Sequence, residues 1–154
     1  YNENEVIEIN IENKIKEILG MNKNAIQEID TQITCKNLPK TIKGNQTRIY
    51  QLFQNLILNA VKFRKPNTPP IVSIVCQDKT NYWQFAVSDN GIGIANDFLE
   101  KIFLVFQRLH TKNEYDGSGI GLAICKKIVQ QHGGDIWAES ELGIGTTFYF
   151  TLPK

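Results

Sequence analysis

The chain has 154 residues, of which 42% are hydrophobic and 21% are charged. This length allows one domain with its own core, and a net charge of +1 indicates no basic surface for nucleic acid or a membrane. No apolar run approaches the roughly 20 residues of a membrane-spanning helix, and no secretory signal is present. The three cysteines, Cys35, Cys76 and Cys125, are widely spaced, which argues against a disulfide framework or a zinc site and suits a reducing cytoplasm.

The first part of the chain alternates short strands with a helix. The polar start, Tyr1 to Asn10, has no initiator Met, so we expect a piece of a longer chain that contains one short strand here. Apolar residues recur at helical spacing from Ile11 to Met21, which predicts an amphipathic helix. Alternation then predicts a strand from Ile29 to Cys35, and a second short strand around Ile42.

A longer helix is predicted from Thr47 to Phe63, with Asn45 as its N-cap. At 100° per residue its apolar side chains share one face: Ile49, Leu52, Phe53, Leu56 and Ala60. A separate stripe is polar: Arg48, Gln51, Asn55, Asn59 and Lys62. Such a stripe is usually a solvated face, but two Asn one turn apart are unusual because Asn is a mediocre helix former. The stripe therefore favours a functional role.

Two strands follow, Ile71 to Gln77 and one beginning at Trp83, joined by a hairpin turn. The first is partly apolar on both faces, which indicates a central strand. The second ends abruptly in Asp89-Asn90-Gly91-Ile92-Gly93-Ile94. A short helix from Phe98 to Phe103 is predicted next, and the aperiodic polar stretch from Gln107 to Ser118 is typical of a mobile lid.

A second glycine run, Gly117-Ser118-Gly119-Ile120-Gly121-Leu122, opens a helix that ends at His132-Gly133-Gly134. Glycines let backbone N–H groups approach an anion, and a helix N-terminus adds unpaired donors and a positive dipole end. A carboxylate at a strand end and two glycine runs around a polar loop therefore indicate a phosphorylated ligand. The spacing matches neither a dinucleotide fingerprint, whose third glycine would fall at Leu122, nor a P-loop.

The chain closes with a strand from Asp135 to Glu139, a turn, and a strand from Thr146 to Leu152. In this order the helices segregate to one face of a mixed, mostly antiparallel sheet. We therefore predict an α+β fold, a two-layer α/β sandwich, as a single domain over residues 1–154.

Taken together, these motifs resemble the GHKL nucleotide-binding superfamily, which includes gyrase, Hsp90, MutL and histidine kinases. Asp89 to Gly93 resembles its first glycine box, Gly117 to Leu122 its second, and Gly143 to Thr146 its third. Asn55 to Phe63 resembles the N-box of histidine kinases, and Ile102 to Arg108 resembles their phenylalanine box. The resemblance implies the Bergerat fold, and the lid sequence is similar to that of phytochrome- and PAS-coupled kinases.

The resemblance also implies a site for ATP and Mg²⁺. Asp89 would accept a hydrogen bond from the adenine amine, Asn59 would give an amide oxygen to Mg²⁺, and Lys62 and Arg108 would stabilise phosphate charge. Asn55 stands where the hydrolysing members carry a Glu general base, which favours phosphoryl transfer over hydrolysis. The other nucleotide contacts that the resemblance implies are Phe63, Gly91, Gly93, Ile94, Gly117, Ser118, Gly119, Gly121, Leu122 and Thr146.

Several residues need the tertiary structure to be interpreted. Strand alternation turns only one of Thr146 and Thr147 inward. The threonine of the third box is therefore either Thr146 or Thr147. The phenylalanine box departs from the commoner family form at Leu104-Val105. We interpret His132 as a helix-end partner and His110 as a loop residue, and expect the phosphoacceptor histidine outside this chain.

The function that the resemblance implies is the ATP-binding catalytic domain of a two-component sensor histidine kinase. It would pass the γ-phosphoryl group to a histidine on the dimerisation domain of the same homodimeric kinase, and a response regulator would take it next. We expect a cytoplasmic location, including the cytoplasmic part of a membrane-bound sensor, with no nucleic-acid or direct membrane contact. The alternatives are a GHKL ATPase, a GHKL protein-serine kinase, and a degenerate module that binds nucleotide only for regulation.

Overall fold

The computed structural model describes residues 5–27, 29–99, 101–104 and 120–154. Helices and strands alternate along these residues. In chain order they are β1 (Ile7–Asn10), α1 (Ile11–Met21), α2 (Lys23–Gln27), β2 (Gln32–Lys36), β3 (Thr41–Gly44), α3 (Gln46–Lys62), β4 (Ile71–Asp78), β5 (Tyr82–Asp89), α4 (Asn96–Leu99), α5 (Ile120–Gln131), β6 (Ile136–Glu141) and β7 (Gly145–Pro153).

The main sheet has five strands in the order β2-β4-β5-β7-β6. β2 runs parallel to β4, and the other three pairings are antiparallel. The helices pack against one face of this sheet, which confirms the predicted two-layer α+β fold and the central position of β4. β1 and β3 form a separate antiparallel pair, which the sequence pattern did not predict.

The core lies between α3 and the middle strands of the sheet. Phe53 on α3 is fully buried and meets the rings of Phe85 and Phe150 edge-on, with centroids 5.4 Å away in both cases. Phe85 and Phe150 stack on each other at 5.0 Å. Full burial of such a side chain stabilises the fold by about 1.5–3 kcal/mol, so these three rings hold α3 firmly against β5 and β7.

The sequence correctly predicts where α3 begins and where α5 ends. Asn45 Oδ1 accepts the backbone N–H of Arg48 at 3.1 Å, which confirms the N-cap of α3. The chain leaves α5 through Gly133, whose φ of 83° is a conformation that glycine adopts without strain. His132 donates from Nδ1 to the carbonyl of Ile128 at 2.8 Å, and its Nε2 accepts the N–H of Asn45 at 3.1 Å. It is therefore a helix-end partner, and it ties the end of α5 to the start of α3.

Three local predictions were wrong. β2 begins at Gln32 instead of Ile29, because a turn with Asp30 at a φ of 54° precedes it. The helix placed at Phe98 to Phe103 is the single turn Asn96–Leu99, and α2 was not predicted at all. Elements of one turn carry too few residues for periodicity to reveal them.

Among the described helices, none has the length and apolar character needed to cross a membrane.

Candidate functional site

The carboxylate of Asp89, the last residue of β5, is oriented by the backbone around it. Its Oδ1 accepts the N–H of Gly91 at 2.9 Å and the N–H of Thr146 at 3.2 Å. Within the described residues, no group donates to Oδ2, which leaves that oxygen as an acceptor for a ligand. Burial raises the pKa of Asp89, and the two N–H groups oppose that rise because they stabilise the charged form.

The glycine loop after Asp89 is packed tightly between two other parts of the chain. A Cβ on Gly91 would lie 2.5 Å from the carbonyl oxygen of Phe63, and that same oxygen accepts the N–H of Ile92 at 3.0 Å. Gly93 has a φ of 78°, and a Cβ there would overlap the backbone of Glu141. These glycines are therefore required by packing of the chain against itself. That they also let a base lie against the backbone stays a prediction.

The pairing of β5 with β7 decides which threonine faces the site. Thr146 is buried on the helix-facing side of β7, next to Asp89. Thr147 lies on the opposite face, where its hydroxyl is 2.9 Å from that of Ser88. Of the two candidates, the structure thus brings only Thr146 to the carboxylate.

Ser140 on β6 belongs to the same group of residues, and the sequence interpretation missed it. Its Oγ accepts the N–H of Ile94 at 2.7 Å, donates to the carbonyl of Gly145 at 2.9 Å, and lies 2.8 Å from Thr146 Oγ1. One signal could have revealed it. Ile136, Ala138 and Ser140 alternate toward the core, and a polar residue at an inward position needs a hydrogen-bond partner.

The residues of the polar stripe of α3 are half-buried, and two of them, Arg48 and Asn55, lie next to α5, so the stripe is not a fully solvated face. Arg48 donates from Nη1 to Gln131 Oε1 at 2.7 Å. Two turns further on, Asn55 faces the start of α5, where a Cβ on Gly121 would be 3.8 Å from Asn55 Oδ1. Asn55 Nδ2 is buried and, among the described residues, has only the thiol of Cys125 close by, with which it forms no hydrogen bond of ordinary length. A buried donor of this kind is costly unless a ligand or water uses it.

The remaining predicted residues of α3 lie at its C-terminal end, next to the glycine loop. Asn59 and Lys62 are half-buried, and Lys62 Nζ lies 5.7 Å from the ring centroid of Phe63. The backbone hydrogen bond from the N–H of Ile92 to the carbonyl of Phe63 places this end of the helix beside Asp89. The structure therefore brings the polar stripe, the glycine loop and the start of α5 to one region.

Two of the predicted residues have buried side chains, so Ile94 can contribute little to a ligand and Leu122 can contribute only its backbone N–H. The side chains of Ile94 and Leu122 are both buried in the core, with 6% of each residue exposed. The N–H of Ile94 is already bonded to Ser140, whereas Leu122 lies in the first turn of α5. The other predicted residues, Arg108, Gly117, Ser118 and Gly119, lie outside the described residues, as do the lid and the end of the phenylalanine box.

The donor set decides what kind of metal ion fits here. No group of three or more His, Cys, Asp or Glu side chains that could hold a metal occurs in the part of the chain that the structure describes. An ion at Asn59 would therefore have one amide oxygen from the protein and take its other ligands from phosphate and water. Mg²⁺ is bound in this way in many nucleotide sites, so the residues present fit it.

Known proteins are similar to this chain in sequence and in fold. The family of histidine kinase-, DNA gyrase B- and HSP90-like ATPases matches residues 44–154. Cyanobacterial phytochrome A of Nostoc sp. is 50% identical over 143 residues, which cover 93% of this chain but only 18% of that protein.

Solved structures agree with the sequence relatives. The catalytic domain of histidine kinase ThkA, in a nucleotide-free form, has a TM-score of 0.82 at 29% identity and covers 97% of this chain and 98% of that one. ThkA in complex with the response regulator protein TrrA has a TM-score of 0.77 at 27% identity, with 97% and 42% covered. Full-length ShkA in complex with AMPPNP has a TM-score of 0.81 at 28% identity, with 99% and 32% covered. The chain therefore belongs to the family of histidine kinase-, DNA gyrase B- and HSP90-like ATPases, and within it to the sensor histidine kinase ATP-binding domains.

Proposed function

We propose that this domain binds Mg-ATP and transfers the γ-phosphoryl group to a histidine on the dimerisation domain of the same two-component kinase. The observation that carries the proposal is the orientation of Asp89. Two backbone N–H groups bind its Oδ1, so its Oδ2 is left to accept a hydrogen bond from the exocyclic amine of adenine. A guanine carbonyl at that position would meet a second acceptor and be rejected.

The phosphates would lie between α3 and the start of α5. The first backbone N–H groups of a helix have no partner within the helix, so Gly121 and Leu122 can donate to phosphate oxygens. Lys62 adds a positive charge from α3, and Asn59 would hold Mg²⁺, which supplies neutralisation of phosphate charge when it is bound. We propose that Arg108 in the lid and the second glycine run complete this phosphate site, the run through Gly117, Ser118 and Gly119.

Asn55 is the residue that favours phosphoryl transfer over hydrolysis. It faces Gly121 across the α3–α5 contact, so it is close to the proposed phosphates. An amide can hydrogen-bond a water molecule but cannot take its proton at neutral pH. The described residues of the stripe therefore bind and orient without activating water, and the phosphoryl group is kept for a nucleophile that another domain supplies.

Relatives support the partners in this proposal. ThkA has been solved with a response regulator and ShkA with AMPPNP, and this chain is similar to both in fold and in sequence. We propose the same type of partners here: an adenine nucleotide, a dimerisation domain that carries the histidine and forms the homodimer, and a response regulator. A cytoplasmic location is part of the same proposal, because ATP and response regulators are found there.

The test is transfer of label from γ-labelled ATP. This domain is mixed with the separately purified histidine-bearing domain of its own kinase, with and without Mg²⁺. We expect Mg²⁺-dependent, acid-labile label on that domain, none on this chain alone, and none with the Asp89→Asn variant. Rapid release of phosphate without any labelled protein would contradict the proposal and favour the ATPase alternative. Acid-stable label on serine would favour the protein-serine kinase.

A further inference from the structure

Ser140 joins three backbone segments of the site through one hydroxyl group. It stands directly opposite Thr146 in the pairing of β6 with β7. Its Oγ contacts the N–H of Ile94, the carbonyl of Gly145 and the hydroxyl of Thr146 at 2.7–2.9 Å. The loop after Asp89 and the start of β7 are thus held together at a single side chain.

The chemistry of these partners determines where each proton lies. A backbone N–H only donates and a carbonyl only accepts, so Ser140 accepts from Ile94 and uses its single proton on Gly145. The remaining contact, with Thr146 Oγ1, can then form only if Thr146 is the donor. Ser140 is left with its one donor and both lone pairs in use. The proton of Thr146 points to Ser140, and only lone pairs of Thr146 Oγ1 remain for another partner.

Two acceptors therefore lie side by side at this end of the sheet. Asp89 Oδ2 receives no hydrogen bond from the described residues, and Thr146 Oγ1 can only accept while Ser140 holds its proton. The backbone of Thr146 bonds the other oxygen of the same carboxylate at 3.2 Å, so the two groups are neighbours. A ligand edge or a bridging water that reaches this pair must donate to both.

We propose that Ser140 is a positioning residue that sets the base specificity of the site, because it keeps the Thr146 hydroxyl in the acceptor orientation. This inference rests on the proposed function, since it assumes that a purine base lies against Asp89. The base selected in this way carries a donor at its 6-position, as adenine does. A base with a carbonyl oxygen at this position, such as hypoxanthine, sets a third acceptor against these two and binds less tightly.

The test compares the affinity for ATP with that for inosine triphosphate by calorimetry at a fixed Mg²⁺ concentration. In Ser140→Ala the Thr146 hydroxyl is free to rotate and donate to a carbonyl. We expect the ratio of ATP to inosine triphosphate affinity to fall about three- to tenfold, the range for one ordinary hydrogen bond. If Ser140 only stabilised the fold, both affinities would fall by the same factor and the ratio would stay constant, which would overturn the proposal.

Two further variants make the result decisive. Thr146→Val removes the hydroxyl with little change in shape and should lower the ratio by a similar factor, even if Ser140→Ala does not fold. Combining it with Ser140→Ala should lower the ratio no further, because Ser140 acts through Thr146; additive losses would contradict the proposal.

If the wild-type chain binds ATP but the ratio is insensitive to all these changes, the inference fails and the proposed function stands. If the wild type binds no ATP, both fail.

The matched control is Ser88→Ala. Ser88 on β5 and Thr147 on β7 form a second pair of serine and threonine hydroxyls, 2.9 Å apart, on the opposite face of the sheet. Ser88 comes directly before Asp89, and Thr147 directly after Thr146. Removing the Ser88 hydroxyl should leave both affinities and their ratio at wild-type values. If Ser88→Ala changed the ratio of ATP to inosine triphosphate affinity as much as Ser140→Ala does, the effect would not be specific to Ser140, and the proposal would be overturned.

Discussion

The backbone N–H of Thr146 donates to Oδ1 of Asp89 at 3.2 Å, and this contact joins the end of β5 to the start of β7. Together with the N–H of Gly91 it determines which carboxylate oxygen is turned toward the protein. The other oxygen is the one that the proposed nucleotide would use. This arrangement has one consequence for the binding of ATP and another for the stability of the fold, and both can be measured.

Asp89→Asn should separate binding from folding. An amide oxygen can accept the same two N–H bonds, so the new NH₂ group replaces Oδ2 and presents a donor to the adenine amine. We expect ATP affinity to fall by about 10²-fold or more, the scale of a hydrogen bond to a charged group. The free energy of unfolding should change by less than about 1 kcal/mol. Calorimetry that finds near-normal affinity in a folded variant would refute the role of Asp89.

The same pair of proteins should show a pH-dependent difference in stability. Because burial raises the folded-state pKa of Asp89, the folded chain binds its proton more tightly than the unfolded chain does. Ionised Asp89 therefore costs stability, and the cost appears as the pH rises from the unfolded pKa of about 3.9 through the higher folded pKa. Relative to wild type, Asp89→Asn should gain stability between about pH 4 and about pH 7.5. Urea unfolding at both pH values checks this, and a constant difference would contradict it.

Gly93→Ala should destabilise the domain strongly. The residue has a φ of 78°, and its Cβ would overlap the backbone of Glu141, which cannot move easily within the hairpin of β6 and β7. Gly143 is the matched control, because its φ is 81° but a Cβ there meets nothing within 4 Å. We expect about 1–2 kcal/mol of backbone strain for Gly143→Ala and several kcal/mol more for Gly93→Ala. Equal losses in denaturant unfolding would show that the close packing at Gly93 is unimportant.

Gly121→Ala should keep the fold while weakening phosphate binding. Its Cβ would sit at an ordinary contact distance of 3.8 Å from Asn55 Oδ1, and alanine is favoured over glycine in a helix by roughly 0.5–1 kcal/mol. Gly20→Ala in α1 is the control, since nothing lies within 4 Å of its Cβ. Both variants should be as stable as wild type or more so, and only Gly121→Ala should lower ATP affinity. Unchanged affinity would exclude close approach of phosphate to Gly121.

Asn55→Glu should convert slow turnover of ATP into measurable hydrolysis. A carboxylate one turn before Asn59 can take a proton from water, and general-base assistance is typically worth about 10²–10⁴ in rate. We expect phosphate release to rise at least about 10-fold, with less effect on transfer to the dimerisation domain. Asn55→Gln has the same length without the base and should not raise hydrolysis. If both variants behave alike, or if wild type already hydrolyses ATP rapidly, Asn55 does not separate kinase from ATPase.

Much of the fold could be predicted because its signals are local. The apolar face of α3, its cap at Asn45 and the glycine stop at Gly133 each depend on residues within a few positions of one another. The spaced glycine motifs and the N-box identified the family before any contact was known. The extra helix α2, the short helix α4 and the pairing of β1 with β3 were missed or misplaced, because one-turn elements have no measurable period and strand partners are distant in sequence.

The sequence by itself determined that Asp89, two asparagines on α3 and the glycine runs form a nucleotide motif, because residue type and spacing are read along the chain. Only the tertiary structure decided between Thr146 and Thr147, turned one carboxylate oxygen of Asp89 outward, and revealed Ser140 beside them. Alternation along β7 shows that the two threonines face opposite sides, but not which side is covered by helices. That depends on the pairing of β5 with β7, which is determined by packing between residues far apart in sequence, such as Asp89 and Thr146, 57 positions apart, and Ser88 and Thr147, 59 positions apart.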